Sequence, residues 1–532
     1  MICAMRKELY VLTMILLTAA VQSCDFGKNN FDMDEESMEN LSHDMIVLGD
    51  KLEDPYSVDN MTKALASLYP TKADRLDIQP TDTYVRFLPK TEDEYDRIFD
   101  MGFQIMDHPL DYQIVKDGDY YHDPEIDEDE FTWLYCVLPE GTAIPSGIEC
   151  EILDKCYISE NDPVTRAAEP DIDWDAVEKE SFRLTGNSEM LDEMTKGSKS
   201  APKGRVTIVD PSYSGGKPFG VAGVKVVCNS FVKFATDYTD RDGYYEMKKK
   251  YSSKVRYRLL FHNEKSFDIG FNKIIIPAST SNLGKWSSEG KDFEITSSSD
   301  RKLFCRCVVN NAAYEYITRC GEDDLDISAP PKKLRIWIFQ GMNVSSAVMM
   351  RHGAITESSL VKKFLGVYAL ILKIFSPDIT IGAKDRDTYA ELYATTCHEL
   401  AHSSHFMKAG KDYWDKFIVY VIKSFIQEGG IYYGGGSDSD AGYCEVSEMW
   451  AYYMQNKLFN ERYGGEMPTA GSSHWFHPQI FRYLDERGMT TAQIFKALAS
   501  SVTDRVKLRS TLLELYPEKS TIINQVFDRY EE

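Results

Sequence analysis

Two histidines four residues apart, with a glutamate directly after the first, make His398-Glu399-Leu400-Ala401-His402 the part of this chain best equipped for chemistry. On a helix, positions four apart share one face about one turn apart, so both imidazoles can reach a single ion. Glu399 is offset from that face. Its carboxylate reaches a metal-bound water rather than the metal, which is where a general base for hydrolysis must stand. The ion this chemistry asks for is zinc, which in catalytic sites takes three protein ligands and keeps one position for water. A third ligand must come from elsewhere in the chain.

The segment has to be helical for this to work. Tyr389, Leu392, Tyr393, Thr396, Leu400 and Phe406 recur at helical spacing, and no Pro or Gly interrupts from Ala383 until Gly410. The plain alternative is a chance match on an ordinary helix. Downstream, Tyr443-Cys444-Glu445-Val446-Ser447-Glu448-Met449-Trp450-Ala451 reads as a second amphipathic helix with Glu445 and Glu448 one turn apart. Two motif histidines on one helix and a glutamate on a second resemble the gluzincin metallopeptidases. The resemblance implies Glu448 as third ligand, because Met449-Trp450-Ala451 resembles that family's Glu-x-x-Ala helix; Glu445 is the fallback. An exposed helix carboxylate is the plain reading of Glu448. Ser447 departs from the Asn of the thermolysin pattern, and the gap to the histidines is longer than there.

Metzincins are excluded: their third histidine position falls on Lys408, and no Gly stands at 405. His405 is rotated partly off the metal face and reads as packing or as support for a ligand. Tyr443, His474 and His477 are candidates to stabilise an oxyanion, each with a structural role as its plain reading.

At the start of the chain, Arg6 and Lys7 precede the apolar run Leu9 to Ala20, and Val21-Gln22-Ser23 leads to Cys24. This is a signal-peptide pattern, too short in its apolar part to span a bilayer comfortably. Its end resembles a bacterial lipobox, which implies a lipidated Cys24 and attachment to the membrane by acyl chains alone. The place implied is the outer membrane, cell surface or periplasm; an ordinary signal peptide with a chance Cys is the alternative. A formal net charge of -24 argues against nucleic acid or anionic lipid as the main ligand. Of eleven cysteines, Cys3 lies in the leader and Cys24 is the lipidation candidate, and the odd remainder without regular spacing is no disulfide framework. Cys305 and Cys307 fit alternation within a strand better than a metal site.

The length of 532 residues calls for several domains. Residues 24–80 read as an acidic tether with a short helix near Met61 to Leu68. Residues 81–158 read as a small α+β module, with strands at Thr83 to Pro89 and Phe131 to Leu138 and a capped helix from Thr91 to Phe99. His108 and His122 read there as surface histidines. An acidic linker with a helical patch, 159–202, leads to an all-β sandwich at 203–298 and a mainly α, zincin-like domain at 299–532. Gly223-Val224-Lys225-Val226, Thr236-Asp237 and Asp242-Gly243-Tyr244 resemble the carboxypeptidase regulatory-like, transthyretin-type sandwich, which implies a spacer without catalysis. Asp240-Arg241-Asp242-Gly243 lacks the further ligands of a calcium loop and reads as a hairpin turn.

In the last domain, Leu334 to Phe339 alternates like an edge strand, which in zincins runs near the active-site helix and pairs with an extended peptide. Leu360 to Phe375 reads as an apolar helix, Tyr413 to Ile426 as another, Gly429 to Gly436 as a rim or connecting loop, and Leu484 to Tyr516 as closing helices. The expectation is a membrane-anchored zinc metallopeptidase acting on a polypeptide or glycoprotein. An inert surface scaffold is the alternative, and an intact Glu399 counts against it. Nothing in the sequence sets an oligomeric state.

Overall fold

The computed structural model describes residues 45–353, 377–427, 433–465 and 474–530, apart from 75, 128–129, 194–198, 273, 275, 324 and 342–344. The leader, Cys24, the expected helix at 360–375 and most of the glycine-rich stretch before 433 lie outside the described residues. Among the described residues no helix is long and apolar enough to cross a membrane.

The amino-terminal part contains β1 (Val47–Lys51), α1 (Val58–Leu68), β2 (Asp82–Leu88), α2 (Glu92–Phe99), β3 (Ile105–Met106), β4 (Tyr112–Lys116), β5 (Leu134–Pro139), β6 (Glu149–Cys156) and α3 (Trp174–Leu184). β3, β5, β2 and β6 form an antiparallel sheet in that order. Thr91 caps α2 by accepting from the Glu94 amide.

The flanking segments hold packed helices within the expected tether and linker. Met61, Ala64 and Leu65 of α1 bury against Tyr157, Trp174 and Val177, so α1 and α3 pack together. Their acidic composition hid short apolar stripes at helical spacing, which are enough to dock a helix. His108 is another correction. It is buried, with Nδ1 2.8 Å from Asp107 Oδ1 and Nε2 3.0 Å from an Arg258 Nη2 that reaches in from the sandwich.

The middle region runs β7 (Lys203–Ile208), β8 (Phe219–Gly220), β9 (Val224–Ser230), β10 (Lys233–Tyr238), β11 (Tyr244–Glu246), β12 (Val255–Asn263), β13 (Phe267–Phe271), β14 (Thr280–Trp286) and β15 (Phe293–Ile295). A small sheet, β11-β7-β15 with β8 on β7, packs its inner residues Val206, Ile208 and Tyr245 against Val226, Cys228, Tyr257 and Leu259 of a larger one. The turn at Asp240 to Gly243 is held by Asp240 Oδ1, which accepts from the amides of Asp242 and Tyr244. Gly243 has φ +88° and lies so close to Val206 O that a Cβ would meet it at 2.1 Å. The turn joins strands of different sheets, because β10 pairs with β9 and β11 with β7. It is therefore a corner of the sandwich rather than a hairpin.

The carboxy-terminal part adds α4 (Arg301–Thr318), β16 (Leu334–Phe339), β17 (Ile379–Gly382), α5 (Tyr389–Ala409), α6 (Lys411–Gln427), α7 (Ala441–Tyr463), α8 (Gln479–Glu486), α9 (Arg505–Leu515) and α10 (Ser520–Phe527). Cys305 and Cys307 lie on α4, not on a strand; this helix is buried around most of its circumference, so its sequence carries no clear period. The nine cysteines among the described residues are free.

The larger sheet does not stop at the sandwich. Its order is β10-β9-β12-β13-β16-β17, with β16 parallel to β13 and β17 parallel to β16. β16 is thus an interior strand, buried from Leu334 to Ile338, and the edge-strand expectation fails there. β17 takes the outer place. Gly270 of β13 lies opposite Trp337, whose ring fills the space a Cβ would need. On the amino-terminal side, Arg335 of β16 pairs with Glu92 and Asp96 of α2, and Arg351 pairs with the same two carboxylates.

Candidate metal centre

Helix α5 is framed by its own sequence. Thr388 accepts from the Glu391 amide at 3.2 Å while Glu391 Oε2 accepts from the Thr388 amide at 3.0 Å, a reciprocal cap. Gly410, with φ +83°, ends the helix. Tyr316 of α4 donates to Ser404 at 3.0 Å, and Trp450 Nε1 of α7 donates to Ala401 O at 3.0 Å, so α5 lies held between α4 and α7.

This packing brings His398, His402 and Glu448 together, with one ligand atom from each within 4.8 Å of the others. His398 Nε2 lies 3.5 Å from Glu448 Oε2, and His402 Nε2 lies 3.4 Å from Glu448 Oε1. A tetrahedral ion with bonds of ~2.0–2.1 Å to nitrogen and oxygen separates neighbouring ligand atoms by about 3.3–3.4 Å. The spacing fits.

The protonation states fit as well. Burial lowers the pKa of His398 and takes that of His402 down to about 3, so both rings are neutral and offer a lone pair. His398 Nδ1 lies 2.7 Å from Gln455 Oε1, a carbonyl oxygen that can only accept. The proton therefore sits on Nδ1, and the Nε2 lone pair faces Glu448. Among the described residues that buried nitrogen has no hydrogen-bond partner. Two neutral imidazoles and a carboxylate are a donor set suited to zinc.

Glu399 is fully buried beside this group. Arg386, between β17 and α5, donates through Nε to Thr395 at 2.8 Å and through Nη1 to Gly382 O at 2.6 Å. Thr395 and Glu399 are one turn apart on α5, which sets the guanidinium on Glu399's side of the helix. Burial lowers the Arg386 pKa to about 10, and the charge of Glu399 opposes that shift.

The other candidates lie elsewhere. Glu445 Oε2 accepts from the Arg505 amide at 2.8 Å, the first amide of α9, whose N-cap is Asp504. His405 Nδ1 is 3.1 Å from Ser447 Oγ, and its ring packs against Tyr413 and Trp414. Tyr443 stacks edge-on against Tyr413, whose hydroxyl donates to Tyr443 O. His477, at φ +47°, packs against Tyr530. His474 is one ring removed from the centre: it lies 5.4 Å from Tyr452, whose ring lies 4.6 Å from that of His398.

Gln455, Tyr452 and Arg386 are site residues that the sequence did not single out. Tyr452 and Gln455 stand four and seven residues after Glu448, the spacing of one helix face, and that signal was available. Arg386 had no such signal, because a strand-to-helix connection positions it.

One further arrangement fixes these helices. Arg462, near the end of α7, has its guanidinium 3.8 Å from the ring of Tyr213 and 4.9 Å from those of Tyr389 and Tyr393, and pairs with Glu315 at 3.2 Å. It ties α7 to α5, α4 and a sandwich loop at once. Compared with known proteins, the chain matches no protein-family model and no curated protein.

Proposed function

We propose that the chain is a zinc-dependent metallopeptidase, carried at the outer membrane, cell surface or periplasm by a lipid on Cys24, that hydrolyses peptide bonds of an extracytoplasmic polypeptide or glycoprotein. The observation that carries this reading is the convergence of His398, His402 and Glu448 from two helices, with Glu399 next to the first histidine. Bound zinc supplies a water of lowered pKa and polarises a carbonyl. His398 and His402 would hold the ion through Nε2 and Glu448 through its carboxylate. Glu399 takes the proton of the attacking water and passes it to the leaving amine. Gln455 keeps His398 in the tautomer that leaves Nε2 available. The ring of Tyr452 covers one side of His398.

The burial of all four central residues favours a second reading, an inert scaffold lipoprotein in which the same cluster holds a structural ion. Elemental analysis followed by peptide-library cleavage separates the readings. Stoichiometric zinc that is lost in Glu448→Ala and kept in Glu445→Ala, with cleavage abolished in Glu399→Ala, supports the peptidase. Zinc without cleavage supports the scaffold. A chain that takes up no zinc when it is supplied overturns both metal readings.

A further inference from the structure

The sandwich carries a groove of its own, far in sequence from the metal ligands. The turn at 289–292, which leads from β14 to β15, lies against the start of β7: the Lys291 amide donates to Lys203 O at 3.0 Å and Tyr245 OH donates to Lys291 O at 2.7 Å. Between this turn and β11 is an open groove of about 680 Å³, lined by Tyr244, Glu246, Asp240, Glu289, Lys291 and Asp292. Small-molecule and cofactor sites span roughly 300–1,000 Å³, so the space suits a ligand of a few rings.

Tyr244 lines this groove, and Trp286 adjoins it through Lys291; both rings are uncommonly open for large aromatic side chains. Tyr244 is 55% exposed and Trp286 43% exposed. Each is backed by a cation: the Arg205 guanidinium lies 5.0 Å from the Tyr244 ring, and Lys291 Nζ lies 4.4 Å from the Trp286 ring. A cation over one face steadies the ring and leaves the other face to solvent.

The surroundings disfavour a peptide strand and an anion as occupants. β11 is the outer strand of its sheet, but the amides of Tyr244 and Glu246 already donate to Asp240 Oδ1 at 2.9 Å and Asp237 Oδ2 at 2.8 Å. A peptide adding as a strand would find that amide row taken. Four carboxylates against Lys203 and Lys291 leave the lining net negative, which repels phosphate, sulfate, nucleic acid and acidic peptides. What fits is a neutral ligand with apolar faces to lie on a ring and hydroxyls to donate to carboxylates.

The geometry points to a carbohydrate-binding groove on the β-sandwich, filled by a neutral oligosaccharide that stacks on Tyr244 and donates hydroxyl hydrogen bonds to Glu246 and Glu289. It does not depend on the metal reading. The site recognises sugar units by stacking and by exposed acceptors, without covalent chemistry.

The test is titration of the full chain, by isothermal calorimetry and ligand-observed NMR, with chitotetraose, cellotetraose, xylotetraose and mannotetraose, and with tetralysine as the cationic counter-probe. Saturable binding of at least one tetrasaccharide is expected, weakened about tenfold or more in Tyr244→Ala and largely kept in Tyr244→Phe. Glu246→Gln and Glu289→Gln are expected to weaken it several-fold while the melting temperature and zinc content stay unchanged. Failure of all four sugars to bind at millimolar concentration overturns the inference. So does binding that is unaltered in a folded Tyr244→Ala, or capture of tetralysine alone that is lost in Glu246→Gln, which would make the groove a basic-peptide site.

Discussion

Two clusters in this molecule each hold a carboxylate almost wholly shut off from solvent, Glu178 in one and Glu448 in the other, in opposite surroundings. Where α3 meets the sandwich, Glu178 and Glu160 are interleaved with Lys199 and Lys233 at 2.8–3.2 Å. Burial pushes the Glu160 carboxyl up, but Lys233 and Lys199 outweigh it and carry it down to about 2. At the second cluster, Glu448 has two imidazoles at 3.4 and 3.5 Å that burial keeps neutral. The first cluster contains its own cations and reads as a structural joint. The second offers lone pairs converging on one point, and a divalent ion is the charge that would complete it.

The largest effect is expected at the joint. Lys233→Met leaves two buried carboxylates sharing one ammonium group and should cost about 3–5 kcal/mol, read from the shift of a denaturant midpoint. Glu448→Ala should behave in the opposite way, abolishing stoichiometric zinc while leaving the metal-free chain as stable as the parent. A metal-free Glu448→Ala as damaged as Lys233→Met would break the comparison.

Gln455→Ala tests the support of His398 and should weaken zinc binding about 10–100-fold in a chelator competition. Asp54 supplies a third way of burying a carboxyl: burial, with Asp111 and Asp154 nearby, pushes it up to about 8 despite the Tyr56 amide it accepts from. The folded chain therefore holds a proton that the unfolded chain releases, and stability falls as pH rises from about 4 to about 8. Asp54→Asn keeps the amide contact and removes that slope, so its gain in melting temperature should be larger at pH 8 than at pH 5. The smallest effect belongs to Glu445→Ala, which should keep full zinc and lose about 1 kcal/mol with the hydrogen bond it accepts from the first amide of α9.

Legibility in the sequence followed the range of the interaction. The motif helix could be bounded because its signals are local: helical spacing and Gly410. The four-residue spacing of the histidines needs only that helix. The placement of Glu448 needed a packing of α5 on α7 that no local rule contains, and it rested on resemblance. The parallel pairing of β13 with β16 and the burial of His108 were not legible at all. Both depend on groups far apart in sequence, and a buried strand with apolar residues on both faces gives no period that sets it apart from an edge.

The continuous sheet also has a consequence for how the chain is made. The residues of β13 leave the ribosome roughly sixty positions before those of β16, and synthesis runs at about 5–20 residues per second. For several seconds the nascent sandwich presents Phe267 to Phe271 as an uncovered strand, and each further segment must be delivered to it in turn. The half of the molecule that holds the histidines is assembled on a template already translated, so damage to the sandwich would be felt first as a loss of folded yield.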